Sequence, residues 1–162
     1  PVVAVLLQLW GLSLLVRKVI THLAQIKISW PKSVQWLLGL AFFALIIKFL
    51  LQAGSVFPEI SKLAFGFRSI VIAYLHLVLL AFTTLFLLGY MFLDKYIRQN
   101  KLSNISLIVF SIGVFANEFV LMIQGVTSFV YILVPYLNQV LFGVSLIMLF
   151  SLILLVFSYK KS

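Results

Sequence analysis

Three ionisable side chains of this sequence lie inside long apolar runs where no loop can claim them: Lys48, His76 and Glu118, the last preceded by Asn117. An amine, an imidazole and a carboxylate are the parts from which a proton relay or ion pathway is built. Groups of this kind are costly in hydrocarbon and by default mark function or a buried partner. Each also has a plainer reading. Lys48 could extend its stem to the nearby interface, Glu118 could be a protonated carboxyl bonded to a neighbouring helix, and His76 a neutral imidazole bridging two helices. Tyr74 reads as packing and His22, in a basic stretch, as solvated.

The elements that must position these residues are five apolar segments, compared with the roughly 20 residues that cross about 30 Å of hydrocarbon. They run from Pro1 to Val16, Ser33 to Ala53, Ser69 to Leu93, Asn104 to Val126 and Tyr136 to Tyr159. Arg17 and Lys18 are expected to stop the first, which is short and looks truncated at its start. A loop holding Gly54, Pro58 and Gly66 joins the second to the third. With 64% hydrophobic and 9% charged residues and a mean hydropathy of +1.24, no water-soluble fold could hide the apolar surface. The expectation is an all-α, polytopic transmembrane bundle forming a single domain over residues 1–162, with the lipid bilayer as its first partner.

Orientation follows from the basic residues. Arg17, Lys18, Lys27, Lys32, Lys95, Arg98, Lys101, Lys160 and Lys161 fall on one side, against Lys62 and Arg68 on the other. That asymmetry predicts a cytoplasmic C-terminus in a bacterial inner membrane, with Trp10, Trp30, Trp36, Tyr136 and Tyr159 as interface anchors. The net charge of +9 does not indicate nucleic acid, because the basic residues separate apolar runs and do not gather on a solvated face. The first run opens without a basic leader or a small-residue cleavage site, and the chain reads as the C-terminal part of a longer one.

At 1.5 Å per residue, Lys48 lies about 9 Å from Gly54, His76 about 12 Å from Arg68 and Glu118 about 12 Å from Val126, all in the outer half. Residues seven apart nearly eclipse on a helix. Three such rows mix polar and small side chains: Ala41, Lys48 and Ser55 beside Ala44 and Gln52; Ser69, His76, Thr83 and Tyr90; and Ser111, Glu118 and Gly125 beside Gly113, Asn117 and Gln124. Such rows turn into a bundle, so the three are expected to converge and Lys48 to pair with Glu118. Gly39, Gly89, Gly113 and Gly143 read as close-packing sites. Other chemistry has little support: cysteine is absent and Asp94 is the only aspartate, and no phosphate-binding loop, zinc motif or serine elbow occurs.

The string YLHLVLLAFTTLFLLG, Tyr74 to Gly89, resembles the haem-ligating helix of the heme-copper oxidase and nitric oxide reductase catalytic subunit. That helix carries an H-x-H pair, and the resemblance sets Tyr74 at the first histidine, His76 at the second and Ala81 at the family's following glycine. It implies that the five segments are the last five helices of such a subunit, with the remaining haem and copper ligands upstream. With Tyr74 in place of the first histidine, the high-spin haem site is put in doubt. What the resemblance then implies is one low-spin b-type haem with His76 as an axial ligand, serving electron transfer or sensing, with no other metal and with the second ligand supplied by upstream helices or another membrane subunit. A similar YLHL helix also resembles uncharacterised bacterial polytopic membrane proteins, which implies no activity. Two readings stand beside haem binding: a transporter or proton conductor using Lys48, His76 and Glu118, and a structural membrane subunit.

Overall fold

A computed structural model describes residues 2–26, 30–94, 96–97, 100–130, 132 and 134–160. Lys27, Lys95, Arg98, Lys161 and Ser162, together with the side chains of Tyr159 and Lys160, lie outside the described residues. Among the described residues the chain is helical throughout and has no strand. Five helices among the described residues are long and apolar enough to cross a membrane: Val3–His22, Lys32–Gly54, Arg68–Leu93, Lys101–Ser128 and Leu137–Ser158.

Helix α1 (Val2–Ile26) does not stop at Arg17 and Lys18, as expected from their charge, but runs on to Ile26. Arginine and lysine are good helix formers, and both residues are exposed, so their charges are not buried by continuing the helix. Thr21 folds its hydroxyl back onto the carbonyls of Arg17 and Lys18 at 2.9 and 3.0 Å. Helix α2 (Lys32–Gly54) follows Pro31, whose fixed φ suits a helix start. The loop after it contains a short helix, α3 (Pro58–Gly66), again opened by proline. Extended Phe67 then separates α3 from α4 (Arg68–His76).

The third span is not a uniform α-helix. Between α4 and α5 (Leu85–Leu93) lies an eight-residue π-helical segment, Leu77–Thr84, that begins immediately after His76. Thr83 and Thr84 bond through their hydroxyls to the carbonyls of Val78 and Leu79, five residues back, each at 2.9 Å. Wide turns of this kind are rare and cluster at functional positions. Here the turn keeps residues four apart on one face, so Leu77, Ala81 and Leu85 are all buried.

Helix α6 (Lys101–Phe129) opens with a capping box: Asn100 accepts the Ser103 amide at 2.7 Å, and Ser103 Oγ accepts the Asn100 amide at 3.0 Å. It packs most extensively against α7 (Leu137–Lys160). Ser103 and Ser106 of α6 and Ser151 and Ser158 of α7 are buried, small side chains that let helix backbones approach. The third span divides its neighbours: α2 packs on the π segment and α5, while α6 packs on α4. The core forms where they meet, from Val34, Leu37, Leu85, Phe92, Phe110 and Val114 with Met148 and Leu155.

Glycine sets two of these contacts. A Cβ at Gly89 would stand 2.9 Å from Leu38 Cδ2, and one at Gly113 would stand 2.5 Å from Met148 Cγ. Gly39 and Gly143, expected to behave alike, face open space instead.

Candidate functional site

His76 ends α4 and is exposed. Its Nδ1 lies 3.0 Å from the carbonyl of Ile72, one turn back. A carbonyl can only accept, so Nδ1 carries hydrogen in this contact, the arrangement that in a neutral imidazole leaves the lone pair on Nε2. The imidazole borders an apolar groove of about 410 Å³ lined by Ile72, Leu75, Leu79, Leu80 and Thr84. All of these belong to the same span, so the groove has one wall and a second helix would have to supply the other. The row Ser69, His76, Thr83 and Tyr90 therefore does not turn inward as a unit. His76 and Tyr90 are exposed, while the buried face of the span is carried by Leu77, Ala81, Leu85, Leu88 and Phe92.

The other two rows do face the bundle. Ala41, Ala44, Ser111 and Asn117 are buried, and Gln52 and Glu118 each turn a side-chain oxygen, Oε1, into the interior with no hydrogen-bond partner among the described residues. Two contacts fix the register of α2 on α6: Ser33 Oγ to Asn104 Oδ1 at 2.8 Å, and Phe43 against Phe115 at 6.4 Å between ring centroids. By residue count from the second contact, Lys48 and Glu118 stand within about 3 Å of the same height.

They do not pair, however. The Lys48 ammonium lies instead 4.3 Å from the ring centroid of Phe49, a cation–π contact on its own helix, and the Glu118 Oε1 is left without a partner. His76 is also level with Glu118 to within about 5 Å, as the Ser69–Ser128 bond and the approach of Ile70 to Gly125 set the register of α4 on α6. The heights expected from the sequence are kept, while the directions of Lys48 and His76 differ. The residues read as one polar cluster thus divide into an inward group, Asn117 and Glu118, and two side chains that do not join it.

Two polar features have no counterpart among the motifs of the sequence. Where α6 ends and α7 begins, Gln124, Thr127, Ser128, Tyr136, Asn138 and Gln139 border a cleft of about 210 Å³. Tyr136 enters α7 with φ of 67°, an uncommon value for a residue other than glycine. The polar side chains flanking Pro135 were the available signal. At the opposite end, where α2 and α6 start and α7 ends, Asn100, Asn104, Ser33 and Ser158 form side-chain bonds between helices. That group was legible only as isolated serines and asparagines.

Among the described residues no three His, Asp or Glu side chains gather as a metal site. The second histidine, His22, lies in α1 and is exposed. The residues near His76 thus offer an imidazole whose Nδ1 is engaged by Ile72 beside an apolar wall. No family model, curated protein or solved structure matches the chain.

Proposed function

We propose that this chain is a multi-pass protein of the bacterial inner membrane, C-terminus in the cytoplasm, in which His76 is an axial ligand of a b-type haem. The observation that carries this reading is the Nδ1 bond to Ile72, which leaves Nε2 free to ligate beside the apolar groove. Bound there, haem would supply one-electron transfer or sensing, its potential set by axial ligation and burial. The chain's own part is to hold the tautomer through Ile72 and to exclude water with Leu75, Leu79 and Leu80. A partner helix provides the second wall and the second ligand. The charge asymmetry and the five apolar helices support the placement.

The test is optical. The full-length protein, purified with the membrane partners it assembles with and supplemented with haem, is expected to show a Soret band that disappears or moves in the His76→Ala variant. No band in the unaltered chain, or an unchanged band in the variant, would overturn the reading.

A second reading, transport or proton conduction, is favoured by the unpartnered oxygen that Glu118 turns inward. Its test is ion or proton flux in proteoliposomes, in which Glu118→Gln is expected to lower the rate; equal fluxes count against it.

A further inference from the structure

Gln124, on the border of the cleft between the end of α6 and the start of α7, lies seven residues beyond Asn117. Residues at this spacing share a helical face. Asn117 is a buried polar side chain, 7% exposed. Glu118, next in sequence, and Ser111, seven residues before it, each have a buried oxygen without a partner among the described residues. A buried polar group left unbonded costs about 1–3 kcal/mol, and several beneath a polar cleft is an arrangement that water would relieve.

Leu121, 4% exposed, falls between Asn117 and Gln124 on this face. The stripe therefore reads, from the outer end inward, as a polar vestibule, one apolar side chain and then the polar side chains of Asn117 and Glu118, the second with an oxygen unpartnered among the described residues. At the upper edge of the vestibule the Ser128 hydroxyl is bonded to that of Ser69 at 2.9 Å.

We propose that the cleft at the α6–α7 turn is an outward-facing water entrance serving Asn117 and Glu118, with Leu121 as its apolar constriction. The ligand is water, and through it the proton. The role given to Glu118 rests on the second functional reading and is independent of haem at His76.

The absence of cysteine from the chain makes the test direct. Single-cysteine variants of the full chain in sealed, right-side-out vesicles are treated with a small charged, membrane-impermeant thiosulfonate. Gln124→Cys is expected to react readily and Asn117→Cys measurably, at least about tenfold faster than Val114→Cys, whose site is fully buried below them. Adding Leu121→Ala is expected to speed the Asn117→Cys reaction severalfold and Leu121→Phe to slow it.

Asn117→Cys labelling no faster than Val114→Cys, or labelling only from the cytoplasmic side, would overturn the entrance. So would indifference of the Asn117→Cys rate to both changes at Leu121. Should Asn117→Cys fail to assemble, Asn117→Ser followed by hydrogen exchange at the 117–121 amides decides the same point: exchange faster than at 110–114 supports the entrance, and equal protection overturns it. Labelling is read without any flux, so unchanged flux in Glu118→Gln would count against transport and leave the water route standing.

Discussion

Ser158 Oγ bonds to Asn100 Oδ1 at 2.9 Å, the same oxygen that accepts the Ser103 amide at 2.7 Å. One side chain therefore both starts α6 and ties it to the end of α7. Asn100→Ala removes the cap and the tie together, and loss of a cap alone costs about 0.5–2 kcal/mol. The variant is expected to lose about 1–2 kcal/mol in reversible detergent unfolding, and Asn100→Ser, which can still cap, to recover part of it. Equal stability of Asn100→Ala and the unaltered chain would show that this joint does not hold the two helices together.

The glycines separate in the same assay. Gly113→Ala drives a Cβ against Met148, whose Cγ stands 2.5 Å from it, and overpacking of this kind costs about 1–3 kcal/mol. Gly39→Ala and Gly143→Ala meet nothing within 4 Å and are expected to be neutral or to stabilise by up to about 1 kcal/mol, the helix preference of alanine over glycine. Shortening Met148 to alanine in the Gly113→Ala background should return part of the loss. A Gly113→Ala variant as stable as Gly39→Ala would contradict the close contact of α6 with α7 at Met148.

These residues show what the sequence could and could not reveal. The five apolar helices were legible because a span of this length has few alternatives, and the common height of Lys48, His76 and Glu118 followed from residue count alone. Direction was not legible. The seven-residue row through His76 assumes an unbroken α-helix, and the π segment from Leu77 to Thr84 rotates Tyr90 and its neighbours relative to that assumption, whereas the outward turn of His76, which precedes the segment, depends on how α4 meets α6. Nothing in Leu77–Thr84 except the adjacent threonines signals the wider turn. The end of α1 was misplaced for a related reason: Arg17 and Lys18 mark where a hydrophobic stretch ends, which is not where a helix must end. Tertiary joints such as Ser33 with Asn104 depend on register between distant segments, which one sequence does not encode visibly.

Lys48 and Glu118 stand level yet apart, and their independence can be measured. Because the ammonium rests against Phe49 and the Glu118 Oε1 has no partner among the described residues, Lys48→Met and Glu118→Gln should act separately. A double-mutant cycle on unfolding free energy is expected to give a coupling below about 0.5 kcal/mol, the range for sites without shared partners. A coupling above about 1 kcal/mol would restore the pair.

The π segment connects stability to the haem reading. Thr83 and Thr84 each bond a carbonyl five residues back, and a net hydrogen bond is worth about 0.5–1.5 kcal/mol. Replacing both by valine keeps the shape and removes both bonds, so the segment is expected to lose about 1–3 kcal/mol in unfolding and to relax toward an ordinary α-helix. His76 precedes the segment and keeps its own bond to Ile72, so ligation should survive. Leu79, Leu80 and Thr84, which line the groove beyond it, would rotate away from the imidazole. The double variant should therefore retain a haem band with a shifted maximum or potential and a lower affinity, whereas His76→Ala loses the band. A haem spectrum and affinity identical to those of the unaltered chain, despite the lost stability, would show that the wide turn serves packing alone.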